Sequence, residues 1–271
     1  MKQILTKVMV TVLSAILAFG ACSSWAFLQE RRTIPYPPFT PLEGAAAYAG
    51  RCNHNNSAYF TKLDVYGLKS NQNLTILPRF RTYQQTTEVT CGPASALMVL
   101  YHYGNKSWTE AKIARIMRTH EDLDGDNYEN RGEANERGEW GTSTDRMVKF
   151  FTQIGWKVQS SLTEGRLAGG KTFSSHEQFK EWLIGHLKQN TPVMVEWIDW
   201  MGHWQVIIGY DTMGTQTLGD DVIIFADPYD TSDHWQDGYY IYNAQRFFYM
   251  WEDKQILPES QQYQQWIIAR P

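Results

Sequence analysis

The sequence predicts an α+β fold in which helices come first and an antiparallel sheet second. Two observations carry this. Apolar residues recur at helical spacing in four segments between Cys91 and Leu187, and from Val193 the period changes to short β-rich runs separated by Gly, Asp and Thr clusters. A chain of 271 residues, 42% hydrophobic and 20% charged, is long enough for one main domain with one sizeable core.

The chain opens with Lys2 and Lys7 ahead of an apolar run from Val8 to Ala21, followed by small residues. This is the layout of a secretory signal peptide, read over residues 1–26, and the run is too short for a membrane span. Two cleavage points are open: after Ala26, reading Ser24-Trp25-Ala26 as a small-x-small site, or before Cys22, as in a lipoprotein. Either way the chain is expected to be exported, to a periplasm or outside the cell, with a membrane as partner only if Cys22 is lipidated. Loss of residues 1–26 removes two lysines and moves the formal charge from −4 to −6. Such an acidic protein has no basic footprint for nucleic acid.

Residues 27–78 carry Pro35, Pro37, Pro38 and Pro41 and a small-residue patch from Gly44 to Gly50, and read as an irregular arm on a domain spanning 79–271. The first helix starts at Cys91: Ala94, Leu97, Met98 and Tyr101 fall at i, i+3, i+4 and i+7 before Gly104 stops the run. Ser107-Trp108-Thr109-Glu110 has the pattern of a capping box, so a second helix is expected from there to about Thr119. A third spans Ser143 to Ile154, with Met147, Phe150, Phe151 and Ile154 as its stripe and Gly155 as its stop. The fourth starts near Ser175, with Gln178 three residues on and Phe179, Trp182, Leu183 and Leu187 facing inward. Strands follow at Val193–Ile198, His203–Tyr210, Val222–Asp227 and Gly238–Tyr242.

Cysteine is nucleophilic as the thiolate, which the partial positive charge of a helix N-terminus favours, and Cys91 has that position. Gly92 permits close backbone approach and Pro93 suits a first helical turn. The bland alternatives are a buried inert thiol or, since Cys22, Cys52 and Cys91 are the only cysteines, a bridge from Cys52 to Cys91 in an oxidising compartment. Gln85, six residues before Cys91, is near enough for its amide to turn back and join the Cys91 backbone N–H in an oxyanion hole. His203 opens a strand, and the next strand ends in Asp227-Pro228. If the two are antiparallel neighbours, the start of one lies beside the end of the other, and Asp227 can hold the imidazole in one tautomer.

The blocks Gln85-x5-Cys91-Gly92-Pro93-Ala94-Ser95, Gly202-His203-Trp204-x-Val206-Ile207-x-Gly209-Tyr210 and Ala226-Asp227-Pro228 together resemble the papain-like cysteine peptidases related to the double-glycine leader peptidases of bacteriocin exporters. The resemblance covers roughly Leu77 to Trp251. It implies a papain-like fold, with the nucleophile helix packed on an antiparallel sheet, and a peptide or protein substrate. It also implies Cys91 as nucleophile, His203 as general base, Asp227 as orienter and Gln85 as oxyanion donor. Where many of those relatives carry an acidic residue before the cysteine, this chain has Thr90. The same triad order also suits a thiol acyltransferase or transpeptidase, and a peptide-binding module without catalysis is the third reading.

Residues 122–133 place Asp122, Asp124, Asp126, Asn130 and Glu133 at oxygen-ligand positions of an EF-hand loop, with the carbonyl of Tyr128 at the seventh. A structural calcium is one reading and a solvated acidic loop the other; no cofactor is required. Trp197, Trp200, Trp204, Trp235 and Trp251 crowd the strand half, either as an aromatic substrate groove near His203 or as core and rim packing. His102, His120, His176 and His186 lack metal-ligand spacing and read as surface or satisfied residues.

Overall fold

A computed structural model describes residues 32–47, 63–119 and 141–271 apart from 234 and 256. A seven-stranded sheet is built from β1 (Leu74–Ile76), β2 (Lys157–Ser160), β3 (Val193–Trp197), β4 (His203–Asp211), β5 (Val222–Ala226), β6 (Tyr239–Asn243) and β7 (Gln265–Arg270). The spatial order is β2-β7-β3-β4-β5-β6, with β1 set against β4 as well, and every pairing is antiparallel. β3 and β4 lie in the middle. Every residue of Val193–Trp197 and of His203–Tyr210 is buried, which is why both read as nearly continuous apolar runs rather than as alternation.

One edge of β4 is shared. β3 pairs with it over His203–Ile207, and β1 takes over at Gly209–Asp211. A register shift between Ile207 and Gly209 in the pairing with β5 marks the handover. β1 lies inside the segment read as an irregular arm: Leu74 and Ile76 are buried in the core, and Ser70 and Asn71 cap the strand through their side chains.

Six helices surround the sheet among the described residues: α1 (Cys91–His102), α2 (Glu110–Met117), α3 (Thr144–Gln153), the single turn α4 (Ser161–Glu164), α5 (His176–Lys188) and α6 (Ala244–Met250). The first three predicted helices with caps at or before residue 143, and the fourth capped by Ser175, all form within a few residues of their expected ends. α1 differs in character. In place of one apolar stripe, all ten residues from Cys91 to Leu100 are buried, so this helix runs through the core, as a helix without a polar face must. Its Ser95 hydroxyl donates to the Trp204 carbonyl of β4 at 3.1 Å, fastening the helix to the strand.

The capping box expected at Ser107 does not form. Thr109 is the N-cap, its hydroxyl accepting from Lys112 N–H at 3.3 Å, and Glu110 turns into the protein. At α5 the expected cap is present: Ser175 accepts from Gln178 N–H, while the Gln178 amide oxygen accepts from Ser174 N–H at 2.9 Å. Among the described residues no helix is long and apolar enough to cross a membrane.

Candidate active site

The fold brings the start of β4, the end of β5 and the start of α1 to one place. β4 and β5 pair with Val206 opposite Ala226, so His203 and Asp227 extend the same end of the two strands. His203 Nε2 and Asp227 Oδ1 are 2.7 Å apart, with both side chains almost wholly buried. Asp227 Oδ1 also accepts from the backbone N–H of Tyr229 at 2.8 Å, and its own N–H donates to the Gly238 carbonyl, so the carboxylate is held from its own loop.

Nε2 is committed to Asp227, and Cys91 is a further neighbour that favours the charged form of the imidazole. Burial opposes a positive ring. The charge and hydrogen bond of Asp227, and then Cys91, outweigh it, and the His203 pKa is raised to about 10. Cys91 is a free thiol at the first position of α1, 8% exposed, and Cys52, the partner considered for a bridge, lies outside the described residues.

Gly92 shows why the helix can start where it does. A Cβ built there would stand 2.7 Å from Thr142 Cβ. Thr142 cannot easily yield, because its hydroxyl bonds Thr119 at 2.7 Å and its carbonyl accepts from the Trp204 indole N–H at 2.7 Å.

Gln85 is buried beside this cluster. Its backbone N–H donates to the Pro228 carbonyl at 2.8 Å, which ties its segment to the loop that carries Asp227. Its side-chain amide does not bond Cys91: Nε2 donates to the Thr87 carbonyl at 2.7 Å, and Oε1 is buried without a hydrogen-bond partner. One amide N–H is thus spent on Thr87 and one remains.

Two acidic residues beside the cluster escaped the sequence reading. Glu110 lies beneath the turn from Tyr83 to Thr90, and its carboxylate accepts from Thr86 N–H at 2.9 Å, Thr86 Oγ1 at 2.7 Å, Thr90 Oγ1 at 2.5 Å and Tyr83 OH at 3.0 Å. Burial raises its pKa against the pull of those four bonds. Glu196 on β3 is also buried. Burial first, then the charge and contact of Asp253, then Cys91 push its carboxyl well above the ordinary range. Glu196 Oε2 is buried without a hydrogen-bond partner. A local capping pattern masked Glu110, and the short apolar run Val193–Trp197 gave no sign that its one glutamate would be buried with the rest.

Of the five tryptophans in the strand half, Trp197, Trp204 and Trp251 are core residues, each at most 2% exposed, and Trp235 is half-buried. Only Trp200 stands out into solvent, at 63%. His176 is buried and bonded to the Tyr210 hydroxyl, the satisfied rather than the surface alternative, whereas His120 and the calcium-loop candidates Asp122, Asp124, Asp126, Tyr128, Asn130 and Glu133 lie outside the described residues.

Residues 78–255 match the model of the Peptidase_C39 like family. The chain belongs to that family. This makes it a relative of the C39 cysteine peptidases, and the helix-on-antiparallel-sheet arrangement described above is its papain-like fold. Among solved structures, the peptidase domain of Streptococcus ComA, a bi-functional ABC transporter involved in a quorum sensing pathway, is similar at 17% identity, covering 71% of this chain and 98% of that one with a TM-score of 0.38. No curated protein sequence matches the chain.

Proposed function

We propose that this C39-like chain is an exported cysteine peptidase that hydrolyses peptide bonds with Cys91, His203 and Asp227. The observation that carries the reading is the buried 2.7 Å pair between His203 Nε2 and Asp227 Oδ1, with a free cysteine at the first position of α1 among the groups that act on the imidazole. The Asp227 carboxylate keeps the ring in place and favours its protonated form. A protonated ring facing the cysteine supports the thiolate, the form that attacks.

In the reaction the Cys91 sulfur adds to the scissile carbonyl carbon. The developing oxyanion is met by the Cys91 N–H and by the Gln85 amide N–H that Thr87 does not use. His203 then gives its proton to the departing nitrogen, the C–N bond breaks, and a thioester remains on Cys91 with a free amine released. The now neutral imidazole takes a proton from water as the water attacks the thioester, so that a carboxylic acid product leaves and the thiolate–imidazolium pair is restored. Export rests on the basic, apolar and small-residue order of residues 1–26.

The test is the pH dependence of iodoacetamide alkylation at Cys91 in the chain and in His203→Ala, alongside hydrolysis of a mixed peptide library. Alkylation that persists well below the free-thiol pKa of about 8.5 and is lost in His203→Ala supports the reading. Ordinary thiol behaviour in both proteins overturns it. Adding a large excess of an amine nucleophile to the hydrolysis assay separates hydrolase from transpeptidase: only the latter converts its thioester to amide product in preference to acid.

A further inference from the structure

Between β3 and β4 the chain holds two large apolar side chains out into solvent: Trp200 is 63% exposed and Met201 65%. The backbone that does so is strained. Trp200 lies at φ 50° and Met201 at φ 65°, followed by Gly202 at 119°. The left-handed region is unfavourable for a side chain, and two such residues in succession, each with most of its surface in solvent, gain little by burial here. Folding alone therefore does not account for this segment.

What surrounds it does. The Trp200 ring faces the ring of Tyr229 with centroids 5.6 Å apart, and the Tyr229 ring stands at right angles to the His203 imidazole, 6.5 Å away. Tyr229 is fixed at both ends, its N–H on Asp227 Oδ1 and its hydroxyl on Glu88 Oε2 at 2.9 Å. His203, Tyr229 and Trp200 thus form a continuous aromatic wall leading away from the imidazole, and its far end is wet.

We propose that this wall is the subsite for an aromatic or long aliphatic side chain on the residue whose amine leaves when the peptide bond is cut. The inference rests on the peptidase reading above, and its direction follows from the chemistry. The His203 proton has to reach the departing nitrogen, so the residue that owns this nitrogen lies on the imidazole side of the scissile carbonyl. Beyond the imidazole, the surface that its side chain meets is Tyr229 and Trp200. Rigid aromatic faces bury area at low entropic cost, and the unbranched thioether of Met201 adapts to side chains of different shape.

Two measurements test it. In the first, Phe-Gly-Gly-amide and Gly-Gly-Gly-amide, analogues of the amine product, are titrated calorimetrically into the Cys91→Ala chain, with and without Trp200→Ala or Trp200→Phe. The phenylalanine peptide is expected to bind about tenfold more tightly, a preference erased by Trp200→Ala and kept by Trp200→Phe. Equal binding of the two peptides, or an unchanged preference in Trp200→Ala, overturns the proposal. In the second, a mixed peptide library is digested and the cut sites read by mass spectrometry. Aromatic, leucine and methionine residues are expected directly after the cut in the wild type and not in Trp200→Ala, and the same distribution in both overturns the proposal. A chain that cuts nothing but binds the phenylalanine peptide through Trp200 would sink the peptidase reading while supporting the recognition of an apolar residue at this wall.

Discussion

The carboxylate of Glu110 meets four donors, all on the turn that leads through Gln85 and Thr90 into the helix starting at Cys91. Three of the four are hydroxyls, and a hydroxyl can turn to accept as readily as to donate. An amide at this position therefore keeps the arrangement: its oxygen serves Thr86 N–H and Thr90, and its N–H groups serve the rotated Thr86 and Tyr83 hydroxyls. Glu110→Gln is expected to stay within about 1 kcal/mol of the wild type in urea unfolding at neutral pH, whereas Glu110→Ala leaves buried donors without an acceptor and loses about 2–4 kcal/mol. Alkylation of Cys91 should slow in the alanine variant and not in the glutamine one. Equal loss in both variants would mean that the charge, not the acceptor geometry, holds the turn.

The elements place these residues by contacts that a single sequence reveals unevenly. The four helices and four strands with strong periodicity or a clear cap were legible, as were the three motif blocks, because their residue types answer to local physics: a cysteine before Gly-Pro, a histidine after glycine at a strand start, an aspartate at a strand end. β1, β2, α6 and β7 were not. β1 is three residues long, β2 shows its solvent side, α6 has seven residues, and β7 is a buried run that makes sense only once β2 and β3 lie on either side of it. Gly92 was read correctly as a point of close approach, but its neighbour, Thr142, is fifty residues away and no local pattern names it. Gly92→Ala is expected to destabilise by about 1–3 kcal/mol through that overlap. Thr142→Gly in the same chain should recover part of the loss, so a double-mutant cycle with additive losses would exclude this contact as the cause. At the opposite end of β4, the Tyr210 hydroxyl and Lys180 both reach Asp221 Oδ2, at 2.6 and 3.0 Å, and His176 bonds the same hydroxyl at 3.1 Å. This ties α5 to the sheet far from Cys91. Asp221→Asn should lower stability by about 1–3 kcal/mol and leave the alkylation profile of Cys91 unchanged. A changed profile would show that the two ends of β4 are coupled.

Across the whole molecule, burial has pushed carboxyls in one direction. Glu110, Glu196, Asp199, Asp230 and Asp237 all have raised pKa values, with burial as the largest cause in each. A carboxyl whose pKa is higher folded than unfolded contributes stability below its unfolded pKa of about 4, and that contribution is lost as the pH rises through the folded value. His203 obeys the same sign: its contribution is complete below about 6.5 and disappears as the pH passes about 10. Asp145 and the exposed Glu177 are lowered and work the other way, but only in strong acid. His102, His176 and His186 are lowered by burial and also work the other way, adding stability as the pH rises to about 6.5. Above that the raised carboxyls and His203 set the sign, and the fold loses stability towards alkali. The urea midpoint is therefore expected to fall from pH 7 to pH 9, and the fall should shrink in Glu196→Gln, which removes a buried ionisation without changing side-chain shape. A midpoint that rises over the same interval would show that these carboxyls find compensating donors on ionising. In the proposed reaction the attacking form of Cys91 is the thiolate, which higher pH favours, while the buried carboxyls around it contribute most stability at lower pH; the proposed mechanism gives the Asp227-bound imidazole the part of reconciling the two demands.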